Sequence, residues 1–225
     1  SLGHQPLSDI FFTEEKLNEP QVNYPLNLYF CEDCKLVQLA HTVDQNVLFD
    51  ESEYAFTTGT SKGLVENFSR LTESLTKRFN LSEKDFAVDI GSNDGTLLES
   101  FLKYNVKVLG VEPTNIANMA LSKNIPTLKK FFNIEVASDI VKNYGNAKVI
   151  TAMNVFAHIE DIHGAVEGIK LLLTNDGLFV SESHHLLSLI KMIQYDSIYH
   201  EHLRYYSLKP LIKLFEMHDM DVFDV

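Results

Sequence analysis

The sequence predicts a doubly wound α/β domain preceded by a small, loop-rich lobe, and three observations support this fold class. From Phe86 onward, short apolar runs rich in β-branched residues alternate with helical segments, which is typical of a parallel sheet covered on both faces. The run "FAVDI" passes through the glycine turn "GSNDG" into a helical stretch, as in such domains. The first 50 or so residues hold three of the six prolines, both cysteines and no long periodic pattern.

The individual elements follow from the spacing of the apolar residues. "SKGLVENFSRLTESLTKRF" repeats apolar residues at steps of three and four, which predicts an amphipathic helix between the lobe and the sheet. Strands are then predicted in "FAVDI", "VKVLGVE", "KVITAM" and "GLFVSE", and helices in "GTLLESFLK", "TNIANMALSK", "NIEVASDIVKNYG" and "EDIHGAVEGIKLLL". "HHLLSLIKMIQY" and "SLKPLIKLFEMHDM" predict two further helices, the second with a serine N-cap and a proline in its first turn.

These elements divide the chain into three parts. We predict an N-terminal lobe over residues 1–53, a sheet domain over 54–185 and a helical segment over 186–225 that begins a C-terminal lobe. The chain starts without a methionine and stops at "DVFDV", which is typical of a strand in progress. Both features indicate a piece of a longer protein.

Composition limits the possible functions. Of the 225 residues, 45% are hydrophobic and 22% charged, which is typical of a globular protein, and no apolar run reaches the roughly 18 to 20 residues of a membrane helix. The net charge of −12 would repel phosphate backbones, which argues against nucleic acid as a partner. Because no signal-peptide pattern opens the chain, we expect a cytoplasmic location.

The turn "DIGSNDG" is the most informative stretch of the predicted domain. Gly91 permits a tight turn and a close backbone approach, and Gly95 opens the next helix. Asn93 stands where a dinucleotide-binding fingerprint has its middle glycine. A pyrophosphate would therefore fit this turn less well than a ligand without phosphate.

Two polar residues at other strand ends extend this predicted site. Glu112 in "GVEP" follows Asp89 by 23 residues, where an acidic side chain can accept hydrogen bonds from both ribose hydroxyls of an adenosine. Asn154 and His158 in "MNVFAH" follow the third predicted strand, at the carboxyl edge where ligands bind in such sheets. Asn154 is expected to face the ligand, whereas His158 is equally compatible with a helix cap.

These stretches resemble the class I methyltransferases that use S-adenosylmethionine (SAM). "DIGSNDG" is similar to their first motif, "GVEP" to their second, and "LLLTNDGLFVSE" to their pattern before the fifth strand. The stronger resemblance is to sugar C-methyltransferases that act beside the ketone of nucleotide-linked 4-keto deoxysugars, because "IGSNDG", "NVFAH" and "IYHEH" occur in that order. The resemblance implies SAM as cofactor, a nucleotide sugar as substrate, and cofactor-binding residues Asp89, Gly91, Asn93, Asp94, Gly95, Glu112, Pro113 and Asn154.

The stretch "IYHEHLRYY" gathers two histidines and a glutamate. A zinc site is disfavoured, because His200 and His202 are two apart while the helical zinc signature needs four; a structural polar loop is a second alternative. An acid/base role fits a carbon methylation, which must remove a weakly acidic proton and stabilise an enolate. The resemblance implies Tyr199, Glu201 and His202 as catalytic residues, with His202 as general base, and an active-site tyrosine at the lobe boundary, for which we choose Tyr54.

The only two cysteines, Cys31 and Cys34, form a C-x-x-C motif. This spacing indicates either half of a zinc site or a redox pair, and no thioredoxin-like βαβ unit surrounds it. The resemblance implies a structural Zn²⁺ in an N-terminal zinc-binding lobe whose second cysteine pair would lie upstream. His4 or His41 filling the site, or two free thiols, are the alternatives.

Two other classes of function compete with the methyltransferase interpretation. An NAD(P)-dependent nucleotide-sugar oxidoreductase shares the predicted fold, but Asn93 and the missing Y-x-x-x-K pair around Tyr199 argue against it. A zinc-ribbon module that binds a macromolecule is disfavoured by the acidic composition. The sequence does not identify the sugar or the oligomeric state.

Overall fold

The computed structural model describes residues 1–8, 11–49, 54 and 56–225. The N-terminal lobe contains two small antiparallel pairs of strands, with a short helix after the second pair. The strands are β1 (His4–Pro6), β2 (Asn23–Pro25), β3 (Leu28–Phe30) and β4 (Val37–Leu39), and the helix is α1 (Gln45–Leu48).

Helix α2 (Lys62–Phe79) is the predicted amphipathic helix. It begins at Ser61, whose side chain accepts a hydrogen bond from the Leu64 amide, and it ends at Asn80, which has a left-handed backbone (φ 51°). Both ends therefore carry the capping groups that an α-helix needs for its unpaired amides and carbonyls. Its buried stripe contains Phe68 and Leu75 and packs on the central sheet.

The central sheet has five parallel strands in the order β7-β6-β5-β8-β9. Its strands are β5 (Phe86–Ile90), β6 (Lys107–Val111), β7 (Thr127–Leu128), β8 (Ala147–Met153) and β9 (Leu173–Glu182). The four predicted strands are present, and β7 was not predicted because two residues give no periodic signal. The connecting helices are α3 (Thr96–Leu102), α4 (Ala117–Ser122), α5 (Ile134–Tyr144) and α6 (Ile162–Leu172).

Apolar layers cover both faces of this sheet, which confirms the predicted doubly wound α/β class. One layer packs α5 and α6 on the sheet, with Ile140 and Ile169 fully buried. The other packs α2, α3 and α4 on the opposite face, with Leu98 and Phe101 fully buried. No helix of the residues described is long and apolar enough to cross a membrane.

The segment after β9 returns to the N-terminal lobe. It contains α7 (Leu186–Lys191), β10 (Arg204–Tyr205) and α8 (Leu208–Glu216), and β10 pairs with β4 to give a three-stranded sheet in the order β10-β4-β3. Residues 221–225, where the sequence indicated a strand, form no regular structure; Arg78 instead pairs with Asp224 and lies over the Phe223 ring. A strand requires a neighbouring strand, and this end of the chain has none within the structure.

Candidate active site

A cleft with about 850 Å³ of empty space, part of it open solvent, lies at the carboxyl edge of the sheet, above β5, β6 and β8. Ligands bind at this edge in open parallel sheets, where the strand order reverses. The cleft is lined by Gln45, Phe49, Tyr54, Phe56, Thr58, Ile90, Gly91, Asn93, Val111, Glu112, Pro113, Thr114, Phe131, Phe132, Met153, Asn154, Val155, His158 and Ile159. The cleft therefore brings together six of the predicted site residues, which are Tyr54, Gly91, Asn93, Glu112, Pro113 and Asn154.

Two glycines shape the floor of the cleft. Gly91 has a φ of +68°, and a Cβ there would lie 2.2 Å from Val155 Cγ2. Gly95, with φ +80°, precedes α3, and its Cβ would lie 2.7 Å from Ile125 Cδ1. Both positions exclude a side chain for backbone and steric reasons. Gly91 lines the cleft, whereas Gly95 lies beneath it.

Asn93 and Asp94 use their side chains to hold the segment that links the lobe to α2. Asn93 Oδ1 accepts a hydrogen bond from the Thr58 amide (2.8 Å), and Asp94 Oδ2 accepts one from the Gly59 amide (2.9 Å). Asp94 Oδ1 accepts from the Thr96 hydroxyl at 2.6 Å and so also fixes the start of α3. Asn93 borders the cleft, while the Asp94 carboxylate is directed into the turn and does not line it.

Glu112 is buried at the end of β6 and lines the cleft. Its Oε2 accepts a hydrogen bond from the Asn93 amide (2.9 Å), and its Oε1 accepts from the Thr114 amide (2.9 Å) and hydroxyl (2.7 Å). These bonds fix the carboxylate between the first and second strands of the sheet domain. Since a carboxylate has about four acceptor positions and these bonds use three, about one position remains for a ligand's hydroxyl group.

Asp89 lies beneath the cleft and not on its surface. Its carboxylate accepts a hydrogen bond from the Thr151 hydroxyl (2.6 Å) on the neighbouring strand. Burial raises its pKa to about 7; the Thr151 hydroxyl opposes this shift and the nearby Glu112 charge adds to it. Asp89 therefore supports the floor of the cleft between β5 and β8.

Asn154 ends β8 at the rim of the cleft. Its amide nitrogen Nδ2 donates to Glu182 Oε1 at 2.8 Å, and its backbone amide donates to the Glu182 carbonyl at 2.7 Å. Asn154 has a left-handed backbone (φ 57°), which asparagine tolerates better than most residues. It thus lines the cleft while joining the ends of β8 and β9.

His202 is held as a neutral imidazole of defined tautomer. Its Nδ1 lies 2.8 Å from the Ser197 carbonyl, which can only accept, so Nδ1 carries the proton. Nε2 therefore accepts the hydrogen bond that joins it to the Tyr199 hydroxyl at 2.9 Å. Burial lowers the pKa of His202 to about 4, opposed by the Ser197 carbonyl and assisted by His184.

Two further imidazoles meet His202. The ring centroids of His158 and His184 lie 5.0 and 4.7 Å from that of His202. Burial lowers the pKa of His158 to about 3, with His202 and His184 adding to the effect. His158 lines the cleft, so it connects the cleft to the His202 loop. The sequence marked His158 only by its position after a strand and left its role open.

Aromatic contacts connect Tyr54 to His158 through the Phe49 ring. The Tyr54 and Phe49 rings lie 5.9 Å apart, and Phe49 stacks on His158 at 6.0 Å with an interplanar angle of 24°. Phe49 also contacts Phe131, and sequence reasoning assigned a role to neither. Glu201 is buried within the loop next to His202 and does not line the cleft.

Cys31 and Cys34 lie in a tight turn between β3 and β4. The Lys35 amide donates to the Cys31 carbonyl and the Cys31 amide to the Leu36 carbonyl, both at 2.9 Å, and Lys35 has a φ of +66°. The Cys34 amide, more than other groups, lowers the pKa of the Cys31 thiol. A turn that favours a thiolate fits two of the four ligands of a structural zinc site.

The remaining ligands of such a site are not visible in the residues described. Both thiols are free, and among residues 1–8, 11–49, 54 and 56–225 no group of three or more His, Cys, Asp or Glu side chains could hold a metal ion. In this part of the chain, His4 and His41 therefore do not complete a site with the cysteine pair.

Two family models match the chain. Residues 65–224 match the family described as "Methyltransferase domain", and residues 1–49 match the family described as "Putative zinc binding domain". The protein is also similar to the "C-methyltransferase NovU" of Streptomyces niveus, with 34% identity over 226 residues. That match covers all of this chain and 53% of the relative, so the chain spans about half the relative's length.

Solved structures identify the fold. The methyltransferase in complex with the Haloferax volcanii Trm112 methyltransferase activator superposes with a TM-score of 0.57 and 15% identity, covering 74% of each chain. The plantazolicin methyltransferase BpumL in complex with SAH gives a TM-score of 0.54 and 16% identity, covering 67% of this chain and 63% of that one. The sheet domain has the class I SAM methyltransferase fold.

Proposed function

The chain belongs to the methyltransferase family, and from this premise we propose that it is a SAM-dependent C-methyltransferase. We infer that it methylates the carbon beside the ketone of a nucleotide-linked 4-keto deoxysugar. The observation that carries the proposal is the His202–Tyr199 pair, which reaches the cleft through His158, because removal of a proton from carbon requires an unprotonated base. The NovU relative, named a C-methyltransferase, supports the same reaction type.

The cleft residues fit SAM. Glu112 presents a fixed, buried carboxylate that can still accept a hydrogen bond from a ribose hydroxyl, and Gly91 allows a ligand to approach the backbone of the turn. Asn93 and Pro113 border the same region, and Asn154 lies at the rim over β8. When bound, SAM supplies an electrophilic methyl group on a sulfonium sulfur.

The base follows from the tautomer of His202. Its Nε2 lone pair accepts the substrate proton, the C–H bond breaks, and the electron pair passes onto the ketone oxygen to give an enolate. The Nδ1–H bond to Ser197 then stabilises the imidazolium that forms. The low pKa keeps the imidazole unprotonated at neutral pH, but it also weakens the base, so the proton transfer depends on stabilisation of the enolate oxygen.

Tyr199 has a hydrogen bond that a substrate can redirect. Its hydroxyl now donates to His202 Nε2 and so occupies the lone pair that the base needs. When a ketone enters, the hydroxyl turns to the ketone oxygen, which frees Nε2 and stabilises the developing oxyanion. His158 and Tyr54 line the cleft, and His158 contacts His202, so the sugar ring is expected on this side of the cleft.

In this proposal the N-terminal lobe has a structural role. Cys31 and Cys34 would hold two positions of a zinc ion, which would supply folding free energy to the turn between β3 and β4. The partner is a small nucleotide sugar and not nucleic acid, since the chain carries a net charge of −12.

The substitution His202→Asn tests the proposal. The asparagine amide can keep the hydrogen bond to Ser197, whereas the Nε2 acceptor is lost. We expect no detectable gain of one methyl group by a 4-keto nucleotide sugar, measured by mass spectrometry, while SAM still raises the melting temperature as in the wild type. Turnover by the variant would show that His202 is not the base.

The same melting experiment addresses the oxidoreductase alternative. Membership of the methyltransferase family leaves that alternative without support. SAM should raise the melting temperature and NAD should not, since only a ligand that binds the folded protein stabilises it. Stabilisation by NAD alone would overturn the proposed function.

A further inference from the structure

The loop that carries His202 is held by the N-terminal lobe at the residues on both sides of the base. His200 Nε2 lies 3.3 Å from the Tyr24 carbonyl of β2, and the Leu39 amide of β4 donates to the Leu203 carbonyl at 2.9 Å. We propose that the lobe positions the His202 base, and that His200 is the side chain through which it does so. The inference rests on the proposed function and adds a positioning residue to it.

His200 is built into the fold as a neutral donor. Its ring is 1% exposed and meets the Tyr24 ring edge-on, with centroids 6.0 Å apart. Because the Tyr24 carbonyl only accepts, Nε2 carries the proton, and the buried Nδ1 is then an acceptor without a hydrogen-bond partner in the described structure. A buried unpartnered nitrogen costs free energy, so a leucine of similar size would pack at lower cost. The histidine is explained by the contact that its other nitrogen makes.

The backbone after the base belongs to the sheet of the lobe. Tyr205 pairs with Val37 in the register of β10 and β4, and Leu203 and Tyr205 pack with Leu26 and Leu39 in one apolar cluster. The loop is therefore fixed to the lobe at residue 200 and at residues 203–205. Strand pairing and burial therefore restrain the position of these loop residues relative to the lobe.

The sheet domain holds the other side of the loop. The Leu203 amide donates to the Ala157 carbonyl at 3.1 Å, next to His158 in the cleft. His202 thus lies where the lobe and the sheet domain meet, and a shift of the lobe would move the base relative to the cleft. Gln45 and Phe49 of the lobe also line the cleft, but Gly91 and Glu112 lie on the sheet domain, so a shift of the lobe should change cofactor binding less than it changes the position of the base.

The experiment compares three variants of the protein. His200→Leu removes the donor and keeps the volume, and His200→Gln restores a nitrogen donor at about the distance of Nε2. Tyr24→Phe is the matched control, because it removes the hydroxyl but keeps the carbonyl that His200 contacts. For each variant we would measure kcat, the dissociation constant of SAM, hydrogen exchange of the Leu39 and Leu203 amides, and the ¹⁵N shifts of the His202 ring.

We expect His200→Leu to lower kcat by ~10²-fold, as a displacement of about 1 Å does, with the dissociation constant of SAM within about twofold of the wild type. Hydrogen exchange of the Leu203 amide should accelerate, and the ¹⁵N shifts of the His202 ring should show loss of the fixed Nδ1–H tautomer. His200→Gln should recover most of the activity, and Tyr24→Phe should match the wild type.

Three outcomes would overturn the inference. The first is that His200→Leu keeps the kcat of the wild type and the ¹⁵N shifts of the His202 ring. The second is that SAM affinity falls as much as kcat, which would mean general unfolding. If His200→Leu does not fold, His200→Gln decides alone, and failure of that variant to keep the His202 tautomer refutes the inference. The ring shifts and amide exchange require no turnover, so they remain decisive even if the wild type does not methylate the proposed sugar.

Discussion

At His202, two hydrogen bonds decide which nitrogen can act as a base. The Ser197 carbonyl keeps the proton on Nδ1, and the Tyr199 hydroxyl donates to Nε2. Sequence reasoning identified His202 and Tyr199 but not Ser197, because Ser197 contributes through its backbone and has no sequence signature. The residue His158 was left undecided for a related reason, since its contact with His202 joins parts of the chain that are distant in sequence.

Buried titratable groups make stability depend on pH. His158 and His202 stay neutral in the folded protein below the ordinary histidine pKa of 6.5, whereas the unfolded chain takes up protons there. The unfolded chain then binds more protons, so the free energy of unfolding falls as pH drops from about 6.5 toward 4. Asp89, whose folded pKa is raised from 3.8 to about 7, acts in the opposite direction over the same range.

We therefore expect His158→Asn to lose less unfolding free energy than the wild type as the pH falls. Between pH 6.5 and 4.5, its slope of unfolding free energy against pH should be smaller than that of the wild type by up to about 1.4 kcal/mol per pH unit. Asp89→Asn should change the slope in the other direction. Urea unfolding at three pH values measures both, and parallel slopes for His158→Asn and the wild type would contradict the assignment.

The glycine turn between β5 and α3 is the element that shapes the cleft. Gly91→Ala adds a Cβ 2.2 Å from Val155 Cγ2 at a φ of +68°. The left-handed backbone costs about 1–2 kcal/mol and the overpacking about 1–3 kcal/mol. We expect urea unfolding to report a loss of stability of that combined size, together with weaker SAM binding.

Two variants separate the causes of this loss. Gly3 has a similar φ of +77° but open space around its Cβ position, so Gly3→Ala should lose only the backbone contribution. Adding Val155→Ala to Gly91→Ala removes the clash and should recover part of the stability. Equal losses for Gly3→Ala and Gly91→Ala would show that Val155 does not restrict the turn.

Elements were predicted well where periodicity or turn chemistry was strong. The helix over 62–79 and the strands around Asp89 and Glu112 came from apolar spacing and from the glycine turn. The helix predicted in "HHLLSLIKMIQY" is shorter, because α7 ends at Lys191 and Ile193 adopts a φ of +55°. Its apolar residues beyond that point are exposed, so their periodicity did not report burial.

At the scale of the whole molecule, the cysteine turn and the His202 loop adjoin strands of one sheet. β3 leads into the cysteine turn and β4 follows it, and β4 pairs with β10, which begins two residues after His202. We expect Cys31→Ser to lower the zinc content, to accelerate amide exchange in β4 and β10, and to lower kcat more than SAM affinity.

The control for this prediction is His41→Ala. His41 does not cluster with the cysteine pair in the residues described, so its replacement should leave zinc content and exchange unchanged. Atomic absorption and hydrogen exchange followed by mass spectrometry provide both measurements. If zinc content falls in His41→Ala but not in Cys31→Ser, the proposed role of the cysteine turn is wrong.

The sequence alone determined the fold class and the positions of the glycine turn, Glu112 and the histidine-rich loop, because apolar period and turn chemistry act over a few neighbouring residues. Only the tertiary structure decided what these residues contact. Asn93 binds Thr58, 35 positions away, and His200 meets the Tyr24 carbonyl across 176 positions. Such contacts depend on how strands and lobes pack, and backbone carbonyls are the same in every residue, so no local pattern in the sequence encodes them.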